Sequence, residues 1–229
     1  MKKNRWEIDV LIIIAFSLIL NYLVVSFSSS EFGVLMGQVV NILGVFVWLM
    51  FGVYRITGFQ KSNRDLLIKV FNNRCSLKCF SLAFLIFVLG KLTYSFLVEI
   101  EFIKNLDLLS NVLFKPIVLS AESFSGNKLT IIILGVILVI VGVFAEELFF
   151  RGYLFNIQYE EYGWHAWIIN GISWSLIHVF ARANVIALLP TAFLISWIYQ
   201  RTRNFWIVFI AHLMTNVVSI YNVIANYHL

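Results

Sequence analysis

An apolar run that carries two adjacent carboxylates constrains this sequence more than any other feature. The run from Leu129 to Ala145 has no charged side chain, and Glu146 and Glu147 follow it directly. A charge within lipid costs roughly 2.5–3.5 kcal/mol, so two glutamates at this depth require a partner or a function. In a helix, Glu147 and Arg151 are four residues apart and share a face, whereas Glu146 is rotated by about 100°. The pattern predicts a Glu147–Arg151 ion pair and leaves Glu146 available for chemistry.

Composition places the chain in a membrane. It is 61% hydrophobic and 13% charged, whereas soluble domains are about 45–50% apolar and about 25% charged. Apolar runs of membrane-spanning length recur, so we predict an all-α integral membrane protein, a single polytopic domain over 1–229 with about seven transmembrane helices. Helices four to seven, over 129–224, would enclose a polar cavity. The predicted spans are Asp9–Phe27, Phe32–Tyr54, Cys79–Val98, Leu129–Leu154, Trp164–Phe180, Val185–Tyr199 and Phe205–Ile224, with a break at Gln158–Gly163.

The positive residues predict the orientation. They cluster at the N-terminus, in the loop Arg55–Lys78, and at Arg201 and Arg203. Because basic loops face the cytoplasm, seven spans in the plasma membrane would place the N-terminus inside and the C-terminus outside. The loop Arg55–Lys78 has the composition of a basic helix lying on the membrane surface. We expect no nucleic-acid binding, because no basic surface lies outside the loops that flank the membrane. The aromatic side chains expected at the interfaces are Tyr54, Tyr153 and Trp206.

Two further features of the sequence lack a predicted role in function. Cys75 and Cys79 are too few for a disulfide scaffold, and their spacing is a weak metal signal, so we expect reduced thiols. A basic N-terminus precedes the first apolar run, as in a signal peptide. That run is long and no small-residue cleavage pattern follows it, so we expect a retained span.

Polar residues reappear inside the later spans at helical spacing. His178 follows Trp174 by four residues, and Asn216 follows His212 by four. Residues at this spacing share one helix face, and ionisable side chains in lipid turn inward to meet one another. We therefore expect Glu146, His178, His212 and Asn216 to meet in one cavity.

This set of side chains suits the hydrolysis of an amide bond. A carboxylate beside an imidazole can take a proton from water, and a second imidazole with a carboxamide can stabilise an oxyanion. Asn216, and Asn170 in the fifth span, could instead join helices through hydrogen bonds. Two histidines and a carboxylate, here Glu146, His178 and His212, would also suit a catalytic zinc ion, but the sequence has no H-E-x-x-H motif.

Three motifs carry a resemblance to a known family. They are Glu146–Gly152 (EELFFRG), Trp174–His178 (WSLIH) and Ala211–Asn216 (AHLMTN). In order and spacing they resemble the motifs of the CAAX protease and bacteriocin-processing (CPBP, Abi) intramembrane endopeptidases. Trp174 stands where that family usually has phenylalanine, and it keeps an aromatic side chain on the His178 face.

The resemblance implies roles for these residues. Glu146 and His178 would activate a water molecule, His212 and Asn216 would stabilise the oxyanion, and Glu147 and Arg151 would shape the site. It favours a mechanism without a cofactor, with Zn²⁺ as the alternative.

The resemblance also implies the partners. They would be a peptide or protein substrate entering from the cytoplasmic side or the membrane, and the lipid bilayer. Eukaryotic members cleave prenylated proteins, whereas this chain resembles the bacterial branch that processes peptides or gives immunity to bacteriocins. A non-enzymatic immunity or membrane binding protein is the main alternative. A transporter with a Glu/His proton relay is a weaker one, because no internal repeat is present.

The predicted spans leave one mismatch in depth. His178 lies about 21 Å along a helix that starts at Trp164, whereas Glu146 lies only about 12 Å from Leu154. The sequence therefore predicts that the fifth helix begins later, near Ile168, or is strongly tilted. The other two histidines, His165 and His228, have no predicted role.

Overall fold

The fold is helical in every part of the chain that the structure describes, which confirms the predicted fold class at the level of secondary structure. The computed structural model describes residues 6–27, 31–58, 76–103, 128–178 and 185–226. The predicted surface helix of the loop Arg55–Lys78 falls largely outside these residues, as does Cys75. The helices are α1 (Trp6–Phe27), α2 (Glu31–Gly58), α3 (Leu77–Val98), α4 (Lys128–Glu147), α5 (Phe155–Tyr162), α6 (Ala166–Leu176), α7 (Val185–Thr202) and α8 (Phe205–Asn226).

The helix that carries the two glutamates is longer than predicted. A π-helical segment, Leu148–Leu154, joins α4 to α5 without interruption, so the helical body runs on to Tyr162. It ends at Gly163, whose φ of 54° is a left-handed value that glycine adopts readily. The predicted break at Gln158–Gly163 is confirmed at Gly163 but begins too early, because Gln158 lies inside α5 and is fully buried.

This extension reduces the mismatch in depth from about 9 Å to about 6 Å. Glu146 lies about 24 Å, not about 12 Å, from the end of its helical body at Tyr162. A 3-10 turn, Gly163–His165, precedes α6, which begins at Ala166 rather than near Ile168. His178 then lies about 18 Å from the start of α6, in the turn that follows that helix. The two side chains come to similar depths because the helix continues past Leu154, which apolar patterning alone did not indicate.

The helices that surround the site approach one another at glycines. A Cβ atom at Gly171 on α6 would lie 2.5 Å from Cδ1 of Phe193 on α7. A Cβ atom at Gly90 on α3 would lie 2.9 Å from Oγ1 of Thr191, also on α7. Such small residues let membrane helices pack closely. They bring α3 and α6 against α7, on the two sides of one cavity.

Among the residues that the structure describes, α3 is the helix that is long and apolar enough to cross a membrane by length and composition. Two shorter apolar helical segments, Ile42–Thr57 and Phe205–Val218, accompany it. The predicted bundle of seven membrane spans stays a prediction.

A buried polar cluster ties the N-terminal helices to the π-helical segment. Asp9 on α1 forms an ion pair with Arg55, which lies in α2 rather than in the loop that was predicted to begin there. The hydroxyl of Tyr153 donates to the same carboxylate at 2.7 Å. Tyr153 was predicted to lie at a membrane interface. Its side chain is buried within the protein, and this hydrogen bond satisfies its hydroxyl group. The thiol of Cys79 is buried.

Candidate active site

The π-helical segment holds the glutamate pair in a tightly packed environment. Glu146 and Glu147 end α4, and every side chain from Leu148 to Leu154 is buried. In π-helical turns the backbone hydrogen bonds join residues five apart, which widens the helix, and such turns are frequent at functional sites. The side-chain amide of Asn170 on α6 donates to the carbonyl of Phe150 at 2.9 Å, so a neighbouring helix satisfies a backbone acceptor within the widened segment.

Glu147 is the buried carboxylate that joins Arg151 to His212, and we call it the anchor of the site. Its Oε1 atom accepts hydrogen bonds from Nη1 of Arg151 at 2.9 Å and from Nδ1 of His212 at 2.8 Å. The side chains of Glu147 and Arg151 are 0% exposed. The predicted ion pair is confirmed. The contact with His212 was not predicted, because it joins α4 to α8 across 65 positions of sequence.

Glu146 faces both imidazole rings. Its Oε2 atom accepts a hydrogen bond from Nε1 of Trp174 at 3.1 Å. The same oxygen lies 3.8 Å from Nε2 of His178 and 3.9 Å from Nε2 of His212. These two distances are too long for direct hydrogen bonds, and polar groups at such a separation are often bridged by water. The carboxylate and both rings line the same cavity, which is large enough to admit water.

The partners of the two Nδ1 atoms give the rings different characters. Nδ1 of His178 lies 3.0 Å from the carbonyl oxygen of Trp174, which can only accept, so Nδ1 carries a proton. In the neutral ring, Nε2 of His178 is then an acceptor facing Glu146. Nδ1 of His212 donates to the Glu147 carboxylate, so this ring is held by a charged acceptor on another helix. His178 is therefore suited to accept a proton from water, whereas the orientation of His212 is fixed by Glu147.

One cavity of about 180 Å³ contains these groups. Glu146, His178, His212 and Asn216 all line it, so the structure brings together the four residues that the sequence singled out. Asn216 donates from its amide to the carbonyl of His212 at 3.1 Å, a contact within α8. The contribution of α3 to the cavity wall, which includes Lys91, was not predicted. The apolar pattern of that span indicates only a helix in the membrane.

A buried chain of hydrogen bonds supports the anchor and was largely missed. Nη2 of Arg151 donates to Oγ of Ser196 at 3.3 Å, and Ser196 donates to Oδ1 of Asn170 at 3.1 Å. Asn170 donates to Oε1 of Gln158 at 3.0 Å. Asn170 thus joins helices, which is the alternative role considered for it. The signal in the sequence was a set of single polar residues within apolar spans. Such residues do not indicate their hydrogen-bond partners until the packing of the helices is known.

The arrangement of the donor atoms decides whether the site fits a zinc ion. The carboxylate of Glu146 and the two Nε2 atoms are the natural set, and the two Nδ1 atoms have the hydrogen-bonded partners that metal ligands usually have. Within the described ranges, however, no three His, Cys, Asp or Glu side chains are arranged to hold a metal ion. The geometry does not fit a zinc site.

Residues 128–218 match the model of a protein family described as "Type II CAAX prenyl endopeptidase Rce1-like". This region resembles that family. The Rce1-like region covers less than half of the chain and contains all three motifs, so the resemblance to CAAX-type proteases is confirmed. It supports an enzyme of the CAAX protease type, with a peptide or protein substrate and a membrane environment. No curated protein and no solved structure matches the chain.

Proposed function

We propose that the protein is an intramembrane endopeptidase that hydrolyses a peptide bond with a water molecule activated by Glu146 and His178. The observation that carries the proposal is the position of the Glu146 carboxylate, which faces the Nε2 atoms of both histidines at 3.8 and 3.9 Å inside a cavity. The Rce1-like match over the same residues supports the reaction class.

The first half of the reaction is the attack of water. A water molecule between Glu146 and His178 donates one hydrogen to each, and its oxygen attacks the carbonyl carbon of the substrate. Glu146 takes a proton as the bond forms, which is general base catalysis. Trp174 donates to Oε2 of Glu146 and packs on the His178 ring, with ring centroids 4.4 Å apart, so it holds both groups in place.

The second half needs a donor for the oxyanion and a proton for the leaving amine. In the imidazolium form, Nε2 of His212 donates to the developing oxyanion, and the Asn216 amide assists from the next turn of α8. Glu146 then returns its proton to the amine nitrogen as the carbon–nitrogen bond breaks. Glu147 and Arg151 act through His212, because their ion pair fixes the orientation of the ring.

The proposal extends to the setting of the reaction. The chain crosses the plasma membrane several times with its N-terminus in the cytoplasm, and the substrate peptide enters from the cytoplasmic side. The basic clusters of the sequence and the apolar α3 support this arrangement.

Cells that contain the wild-type protein should release peptides that cells with His178→Ala do not release. The physical reason is that the variant lacks the proton acceptor beside Glu146. The measurement compares the membrane and secreted peptides of the two strains by mass spectrometry, at matched protein levels. His165→Ala is the control, since His165 is exposed and lies outside the cavity. Identical peptide profiles, or protection against a bacteriocin that survives both His178→Ala and Glu146→Gln, would support a non-enzymatic binding protein instead.

The purified enzyme should keep its activity after exhaustive chelation of divalent metals. The expected change in the cleavage rate is less than about twofold, because the proposed general acid–base steps use only side chains and water. The rate is measured before and after dialysis against a chelator, and again after Zn²⁺ is added back. Loss of activity that Zn²⁺ restores would show that the enzyme is a metalloprotease.

A further inference from the structure

Lys91 puts a positive charge on the wall of the cavity that contains the proposed catalytic groups. It lies within α3, the most membrane-like of the described helices, where a charged side chain is costly. The ion pairs of Glu146 involve the two imidazoles, and Lys91 forms no ion pair or hydrogen bond with any described residue. Near a helix end a lysine could reach the lipid head groups, but Lys91 is about 10 Å from the last residue of α3. Among the described residues, Lys91 is therefore available to pair with an anion that enters the cavity.

The depth of Lys91 can be compared with that of the catalytic groups. The side chain of Asn204, just before α8, donates to Sγ of Cys79 at 3.4 Å, so α3 and α8 start at the same level. Lys91 then lies about 18 Å along α3 from this level, and His212 lies about 12 Å along α8. The difference of about 6 Å corresponds to about two residues of extended peptide.

Lys91 also lies outside the part of the chain that is shared with the family. The Rce1-like match begins at residue 128, whereas Lys91 and Tyr94 belong to α3. The matched region contributes the proposed chemistry, and α3 contributes a wall of the cavity. A residue in this wall can select substrates without belonging to the shared motifs.

We propose that Lys91 binds a carboxylate of the substrate, so that the enzyme selects peptides with a carboxylate about two residues from the cleaved bond. Carboxylates are the ordinary anionic groups of peptides, and a bond between an ammonium and a carboxylate is among the stronger hydrogen bonds. The carboxylate comes either from an Asp or Glu side chain or from the C-terminus of the peptide. This inference rests on the proposed endopeptidase function.

The test uses a mixture of synthetic peptides of random sequence, prepared with free and with amidated C-termini. The purified protein is incubated with each mixture, and the cleavage sites are mapped by mass spectrometry. For each variant the readout is the rate of cleavage of carboxylate peptides divided by that of their amide counterparts. The pairs compared are Asp with Asn and Glu with Gln at each position, and the free with the amidated C-terminus. A ratio within one variant does not depend on how much protein folds. The variants are wild type, Lys91→Met, Lys91→Arg and Lys91→Glu, with Lys78→Met as the control on an exposed part of the same helix.

For the wild type and Lys78→Met we expect a ratio of about 10–100 at one position. Lys91→Met should lower the ratio to within about threefold of one, Lys91→Arg should keep most of it, and Lys91→Glu should favour Lys or Arg at the same position. Dependence on amidation assigns the carboxylate to the C-terminus, and dependence on Asp or Glu assigns it to a side chain. A ratio unchanged in Lys91→Met overturns the inference while the endopeptidase stands. A wild type that cleaves no more than Glu146→Ala overturns both.

Discussion

Glu146→Gln should lower kcat by about 10²–10⁴-fold while the protein still folds and reaches the membrane. Glutamine keeps the size of the side chain and still accepts the hydrogen bond from Trp174, but it cannot take a proton from water. The measurement is the steady-state rate of cleavage of a peptide identified from the cellular comparison, with purified wild type and variant. We expect KM to change little, because the substitution removes a proton acceptor rather than a binding surface.

Glu160→Gln is the matched control for this substitution. Glu160 lies on the same helical body, but it is exposed and outside the cavity, so the same chemical change should leave kcat within about twofold. A Glu146→Gln enzyme with kcat close to that of the wild type would remove the carboxylate from the mechanism, and with it the proposed activation of water.

Arg151→Met should lower the free energy of unfolding by about 3–5 kcal/mol. The substitution leaves the Glu147 carboxylate fully buried, with His212 as its remaining hydrogen-bond partner. It also removes the donor to Ser196, which links the anchor to Asn170 on α6. For a chain of this size the midpoint of thermal unfolding should fall by about 6–20 °C, measured on the detergent-solubilised protein.

Two comparisons separate the buried ion pair from a general effect of losing an arginine. The double variant Glu147→Gln/Arg151→Met removes both charges together and should recover at least half of the lost stability. Arg201→Met removes an exposed arginine that stacks on Trp164 at 4.4 Å, and it should cost no more than about 1 kcal/mol. If Arg151→Met and Arg201→Met have equal effects, Glu147 does not depend on Arg151 for its burial.

The sequence predicted the parts of the site that depend on spacing along one helix. Glu147 and Arg151 pair at four residues apart, and Trp174 packs on His178 at the same spacing. It also predicted that Glu146 and the two histidines meet, because apolar helices in lipid must turn their few ionisable residues towards one another. The motifs carried the resemblance to CAAX-type proteases for the same reason, since each of them is a short local pattern.

Packing between helices decided the rest. The prediction misplaced the end of the fourth helix, because a polar residue such as Gln158 is typical of a loop. In the structure, Asn170 and Ser173 satisfy the side-chain amide of Gln158. The prediction gave no sign that His212 would bond to Glu147 on another helix, whereas Nδ1 of His178 contacts the carbonyl of Trp174 four residues earlier.

The sequence by itself determined that the described part of the chain is helical, which polar residues are candidates for chemistry, and which of them pair within one helix. The tertiary structure alone decided which carboxylate each imidazole faces and that Lys91 lines the same cavity. The physical reason is that these contacts join residues on different helices, far apart in the chain. Helix periodicity fixes which residues share a face of one helix, but only the packing of α3, α6 and α8 fixes which faces meet.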